Sequence, residues 1–472
     1  MSKAKIYYHD IGDYLSRDEK LNIVKKFGSM ANIPWKELSP NEQGDWIAMR
    51  NESFDTFVPI APEKKFDLKT QSFFNTYAIG VATNRDAWVY NFSKEKVQTN
   101  MSQMIDFYNE QRRLFNEEKK NNSDLIVEDF VINNAENISW TRALRKDVEK
   151  NIEHSFLQDS FRLGVYRPFI KQNFYFDKPF IESPGLSSVL LPTSETKNLI
   201  ISITGVGASK PFSVLIGNTI PNLDNIEKSQ CFPLYFFEEN KSEQKGLFDD
   251  DSTGSSSDYI RRDGVSDFIL ERALKQYNTK DISKEDIFYY VYGFLHSAEY
   301  CETFANDLKK MLPRLPLVDD VRDFWAFSKA GRKLAELHLN YETVPAYEGV
   351  TLSSRTSDNL GASDNTNDYR VEKMRFPKKD QKDTIIFNSK ITISNIPAEA
   401  YEYVVNGKSA IEWIMERYAI TTHKDSGITN DPNDWANEVG NPRYILDLLL
   451  SIINVSVQTV EIVKGLPGVE FE

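Results

Sequence analysis

An α+β fold is predicted, with mixed β-sheet segments, a central helical hairpin and C-terminal helices. Three observations carry that prediction. Between Asp286 and Tyr341 two amphipathic helical patterns flank a proline stop. Ahead of them, around Phe73–Phe92, Phe161–Phe180 and Leu199–Pro221, β-branched and aromatic residues recur between polar turns, as strands do. Behind them, Tyr444–Lys464 sets Ile445, Leu448, Leu449, Ile452 and Ile453 on one helical stripe.

The hairpin is the clearest signal. Phe288, Val291, Tyr292 and Leu295 repeat at helical spacing, and Phe304, Leu308 and Leu312 continue the pattern beyond a break near His296. Lys309 and Lys310 fall in the last turn, where cations suit the carbonyl end of the helix. Pro313 and Pro316 then stop it. Asp319 or Asp320 can cap a second helix whose apolar face includes Phe324, Phe327, Leu334 and Leu337. The stretch is a scaffold with a stiff elbow and holds no reactive constellation.

In chain order, Ala4–Tyr8 is a short β-like run. Ser16 and Glu19 stand in capping-box spacing before Leu21, Val24 and Phe27. Trp35–Phe57 is turn-rich. Phe73–Phe92 reads as two strands joined by the polar turn Thr83-Asn84-Arg85-Asp86. Val97–Glu118 reads as a helix that breaks at Asn121–Ser123. In Trp140–Lys150, Arg142, Arg145 and Lys146 share one side, either as a solvated face or as phosphate contacts. Gly205–Lys210 lacks the GxxxxGK[ST] spacing and is followed by Pro211, so it reads as a turn between strands. Glu238–Asp258 is an acidic Ser/Gly-containing insert, expected to be mobile and exposed, and Ser353–Asp368 is a second polar loop. Arg370–Lys390 carries seven Lys/Arg against three acids and ends in the strand-like Thr384–Phe387. A strand Ile391–Ile396, helical segments Ala398–Val404 and Ser409–Tyr418, and the Asn441-Pro442 start of the last helix follow. The expected divisions are 1–58, 59–237 (β-rich), 238–258 (the insert), 259–352 (helical), 353–369 (a loop) and 370–472 (C-terminal strands and helices). There is no internal repeat.

At 472 residues, two to four domains are expected. Acids outnumber bases 70 to 57, and the net charge of −13 argues against a protein that coats nucleic acid indiscriminately. One basic face on an acidic body would still serve a specific binder. Cys231 and Cys301 lie far apart without a CxxC partner and read as thiols of a reduced cytoplasm. No apolar run is read as a membrane span and Met1–Asp10 has no signal-peptide core, so no membrane partner is expected.

Six further stretches carry a family resemblance: NRDAWVYNFS at Asn84–Ser93, YRPFIKQNFYFD at Tyr166–Asp177, QCFPLYFF at Gln230–Phe237, MRFPKKDQKDTIIFN at Met374–Asn388, VVNGKSAIEWIMERY at Val404–Tyr418 and DSGITNDPNDW at Asp425–Trp435. With the hairpin, they make the chain similar to the C-terminal region of single-chain bacterial type ISP restriction-modification enzymes. Those fuse a nuclease, a translocating ATPase, an adenine methyltransferase and a target recognition domain. The resemblance covers nearly the whole chain. It implies a methyltransferase-type target recognition domain that cups duplex DNA, reads an asymmetric site, and leaves the flipped adenine to a neighbouring pocket. Residues 1–58 would then be the tail of the methyltransferase fold, the chain beginning just beyond its catalytic motifs. S-adenosylmethionine, ATP and Mg2+ would belong to upstream methyltransferase and ATPase domains, and no cofactor to this chain.

The residues agree with a chain that catalyses nothing alone. No glycine-rich S-adenosylmethionine loop is visible, and no Asn/Asp-Pro-Pro-aromatic loop. The nearest match, Asn441-Pro442-Arg443-Tyr444, lacks the second proline and reads better as a helix start. There is no Walker lysine loop and no visible nuclease metal site. His9, His154, His296, His338 and His423 are scattered, and His338 reads as a packing histidine. What remains is recognition chemistry: Arg for guanine, Asn or Gln for adenine, and Lys or Arg for phosphate. The candidates are Asn84 and Arg85; Arg142, Arg145 and Lys146; Arg167, Lys171 and Gln172; Lys210; Asn218 and Asn222; and Lys378 and Lys379. Two other functions remain open, a divergent adenine methyltransferase subunit and a scaffold coupling motor to methyltransferase without reading bases.

Overall fold

In the computed structural model the two amphipathic patterns form helices Lys284–Phe294 and Val321–Leu339, which cross in backbone contact. The structure describes residues 5–12, 15–63, 71–240, 258–354 and 368–471. Glycine makes the crossing possible. A Cβ on Gly293 would lie 2.2 Å from the Phe327 carbonyl oxygen, and one on Gly331 would lie 1.9 Å from that of Tyr289. Tyr290 stacks on Phe324 at 4.9 Å on one side of the contact. At the open end, Arg332 holds both Glu285 and Asp286. Asp320, not Asp319, caps the second helix through the Arg322 amide. The elbow is tied down, because Arg314–Leu315 pairs antiparallel with Val58–Pro59.

One four-stranded antiparallel sheet packs on the hairpin in the order Ala78–Ile79, Gln230–Pro233, Ile200–Ile203, Val214–Gly217. Its side chains alternate between two cores. Ile201, Ile203 and Phe232 join the hairpin core, while Ala78, Ile200 and Cys231 join a core under helix Lys94–Glu118. A second sheet runs Ile220–Pro221, Phe161–Arg167, Ile170–Tyr175, Tyr90–Asn91, with its first pair parallel. A third core gathers around helix Tyr444–Lys464. By length and composition that helix is apolar enough to cross a membrane, contrary to the reading from sequence. It is nonetheless 72% buried over its most apolar window, as a core helix is.

Several expectations are corrected. Phe73–Phe92 is not a hairpin, since its strands Ala78–Ile79 and Tyr90–Asn91 belong to different sheets. The polar residues between them open a helical turn, Asp86–Val89, which buries Trp88 and Val89. Helix Arg17–Phe27 has its capping box, but Leu21 and Val24 are exposed and no residue of the helix is buried. The boundary near 238 falls inside a paired ribbon, Tyr235–Glu239 against Tyr259–Asp263. Most of the acidic insert and of the 353–369 loop lies outside the described residues.

His338 joins the hairpin to the C-terminal helix. Its ring contacts the Tyr292 hydroxyl at 2.5 Å and the Thr459 hydroxyl at 2.9 Å, and stacks on Tyr403. Burial holds its pKa well below the usual histidine value, and burial lowers neighbouring His296 to about 4. Both rings are therefore neutral in the fold and gain protons on unfolding. Their contribution is complete above the unfolded pKa and declines as pH falls below it. Urea unfolding should show stability falling between about pH 6.5 and pH 4, by about 1.4 kcal/mol per pH unit for each histidine. His296→Gln should flatten that slope, and an unchanged slope would refute the assignment. Gly331→Ala should cost about 3 kcal/mol or more by overpacking. Gly217→Ala, where the nearest atom is 3.7 Å from the added carbon, is the near-neutral control.

Candidate nucleic-acid interface

Three pieces of backbone, together with Ala135, Ile138 and Ser139 and the end of the helix that carries Arg417, surround an open cavity of about 600 Å³. The first is the 83–86 loop. The Thr83 hydroxyl bonds the Asp86 carboxylate and accepts the Arg85 amide, while Asn84 takes a left-handed φ of 53°. The second is the hairpin Phe161–Arg167 with Ile170–Tyr175, which contributes Tyr166 and Gln172. The third is the small ribbon Thr421–Thr422 with Thr429–Asn430. Its turn is closed by Gly427 at φ 69°, whose amide donates to the His423 carbonyl, and by a His423–Ser426 side-chain bond of 2.9 Å. The ribbon is anchored where the Asn91 amide group donates to the Thr429 carbonyl and the Phe92 N–H donates to Asn430.

The cavity wall mixes amides, hydroxyls and cations. Asn84 is exposed at its mouth. Gln172 is 3% exposed, and its side-chain oxygen has no partner. Arg417 pairs with Glu416 at 3.2 Å and lies against Trp413. Arg85 is buried over the Phe180 ring, and none of its guanidinium nitrogens meets an acceptor. Burial pulls its pKa down to about 10, so it still carries charge at neutral pH. A buried cation without a hydrogen bond is costly to the fold.

Of the residues expected from sequence, Asn84, Arg85 and Gln172 meet at this cavity. Arg167 and Asn222 stand beside it and bond each other at 3.1 Å, and Arg167 lies 4.0 Å from Asp86, so the pair braces the loop. Lys171 lies on the other face of its strand, because neighbouring strand residues point to opposite sides. Its ammonium pairs with Glu342 over the Tyr341 ring. Asn218 lines the same side as Lys171, by a gap of about 20 Å³. Arg142 and Lys146 share a shallow concavity with Glu128, Glu149 and Glu182, while Arg145 bonds Asn133 at 2.8 Å. Lys378 and Lys379 are exposed in a turn. Lys210 ends the 205–210 loop, a turn between strands. The Ser209 and Lys210 amides there donate to the Glu227 carboxylate at 3.0 Å, so the protein's own acid takes the place an anion would. Those bonds hold Glu227 below the usual carboxylate range. Among the described residues, no group of three His, Cys, Asp or Glu is placed to hold a metal.

Sequence reasoning missed Arg417, Thr421, Thr422, His423 and Asn430. The signal was present: an Asp-Ser-Gly turn between two threonine-bearing runs spells a short ribbon.

A frame of small sheets and helices presents amide, hydroxyl and guanidinium groups around an open cleft, side-chain types that are able to meet base edges. The chain matches the family model described as the type ISP C-terminal specificity domain over residues 72–448, and it belongs to that family. The chain is similar to several solved structures, three of which follow. One is a nuclease-deletion mutant of the type ISP restriction-modification enzyme LlaGI in complex with a DNA substrate mimic (37% identity, TM-score 0.83, all of this chain and 40% of that one). Another is the ATP-dependent type ISP enzyme LlaBIII bound to DNA (36%, 0.82, all of this chain and 28% of that one). The third is a DrdV–DNA complex (27%, 0.79, 98% of this chain and 43% of that one). This chain therefore spans less than half the length of each. No curated protein matches it.

Lys171→Ala would leave the Glu342 carboxylate partly buried without a counter-charge, held by the Tyr444 hydroxyl alone. Denaturant unfolding should show a loss of about 2 kcal/mol, with much of it recovered in the Lys171→Met/Glu342→Gln double variant. Equal stability of Lys171→Ala and the parent would refute the structural role.

Proposed function

We propose that this chain recognises a specific duplex DNA sequence on behalf of a larger type ISP restriction-modification enzyme. The observation that carries the reading is the match of its full length to type ISP enzymes whose structures hold DNA. The cavity wall supports it. Asn84 and Gln172 are suited to adenine, Arg417 to guanine or phosphate, and the 421–430 ribbon is narrow enough to enter a groove. Arg142, Arg145, Lys146, Lys378 and Lys379 would serve as phosphate contacts outside the cavity. Methylation of adenine, ATP-driven movement and cleavage, with S-adenosylmethionine, ATP and Mg2+, are assigned to other domains of that enzyme.

The N-terminal part has an observation of its own. Among the described residues before Asn51, only Asp45 is buried, fixed by Arg50 and Lys310. Tyr7, Leu21, Val24, Met30, Trp35 and Ile47 stand exposed. A segment with so much apolar surface and no core is suited to packing against an upstream methyltransferase domain.

The reading is tested by enriching bound molecules from a random-sequence duplex pool and sequencing them. One asymmetric motif should emerge, bound 10³-fold or more tightly than scrambled duplex, with affinity falling steeply with salt. Enrichment of no motif, with the upstream domain supplied in trans, would overturn it.

A further inference from the structure

We propose that Lys210, Lys228 and Lys309 form a clamp for the phosphate backbone of duplex DNA, lying outside the base-reading cavity and indifferent to sequence. The proposal rests on the DNA-recognition reading above. Four distant chain segments meet at the 205–210 loop. The Gly207 amide donates to the Lys309 carbonyl at 2.8 Å, and the Lys228 ammonium donates to the Gly207 carbonyl at 2.7 Å. The Glu227 amide donates to Asn406, and the Lys210 stem lies along Gly407, where a Cβ would come within 3.0 Å of it. Three lysines from positions so far apart, each exposed, are brought to this one loop by their backbone or side-chain contacts. Among the described residues, the ammonium groups of Lys210 and Lys309 have no ion pair. The carboxylate inside the cluster, Glu227, already accepts the Ser209 and Lys210 amides and the Ser209 hydroxyl. A local positive surface is thus left on a chain of net charge −13.

Lys228 supplies the second, independent observation. Among the described residues, seven that are not glycine have positive φ, and five of them are asparagine, a residue several-fold enriched there. Phe169 and Lys228 are the exceptions. Phe169 is buried among His338, Tyr341 and Tyr403, so packing explains it. Lys228 is exposed, at φ 56°, with Gly205 pressed so close that a Cβ there would sit 2.0 Å from the Lys228 carbonyl oxygen. Asparagine or glycine would hold that backbone more easily. A long cation at a strained, exposed position points to a demand on its side chain, and a polyanion that the lysines can grip without geometric matching meets it.

The experiment uses the full chain, a 30-base-pair random-sequence duplex as probe, and a salt titration. Lys228→Asn should melt at the parent temperature or above, yet bind the probe more weakly, with the log–log salt slope shallower by about one. Lys228→Arg should restore the slope, and Lys210→Ala and Lys309→Ala should each lower it by about one more. Parent-like slope and affinity in Lys228→Asn would overturn the clamp. So would a large drop in its melting temperature, which would make Lys228 a structural tie to Gly207. The two readings fail separately. If the parent enriches a motif but the variants keep its slope, the clamp alone is wrong. If the variants lose slope but no motif enriches, the clamp stands and sequence recognition falls.

Discussion

The contact between Gly293 and Gly331 sets the spacing on which the rest of the frame depends. With no side chain at either position, the two helices approach until backbone touches backbone. That closeness fixes where Tyr292 points. Its hydroxyl reaches the Ile216 amide in one sheet and the His338 ring in the facing helix. His338 in turn reaches Thr459 on the C-terminal helix. One residue thus ties the hairpin to a sheet and, through one histidine, to a third core. Wider helix spacing would break these bonds together, because each has fixed length and buried groups lose heavily when left unpaired.

The same frame reaches the cavity. Phe169, in the tight turn between two strands of the second sheet, is pinned among His338, Tyr341 and Tyr403. This fixes which side chains of those strands turn toward the cavity and which toward the core. A shift of one residue would exchange Gln172 for Lys171 at the cavity wall. The position of Gln172 therefore depends on packing on the far side of its own sheet.

How much of this was legible in the sequence follows from the range of each signal. The Ser16–Glu19 capping box, the Pro313 and Pro316 stop, the break at His296 and the start of the last helix are local, and the structure bears them out. The strands within Phe73–Phe92 are legible as strands, but their partners are not, because pairing is decided by residues more than 80 positions away. The cluster Arg167, Lys171 and Gln172 looked like one patch in sequence. Period-two alternation and a Glu342 far along the chain divide it. Charge was the least legible. The run Arg370–Lys390 carries seven cations in sequence, yet Arg370, Lys382 and Lys390 are held by Asp431, Glu412 and Asp368. Only the fold separates cations already paired from cations still available.

That separation is how an acidic chain can present a positive surface. At physiological salt, exposed charges are screened over about 8 Å, so a phosphate responds to the few groups beside it and little to the net charge of the molecule. What matters is whether each nearby acid already has a partner. Glu416 lies with Lys408 and Arg417, and Glu227 with the Ser209 and Lys210 amides. Asp86 lies with Thr83 and Arg167. In each case the carboxylate that would repel a polyanion accepts hydrogen bonds from within the protein, and in two cases it also orients an arginine. These three acids then act as supports for the groups around them, and the surplus of negative charge elsewhere disfavours loose association with any duplex that lacks the matching contacts.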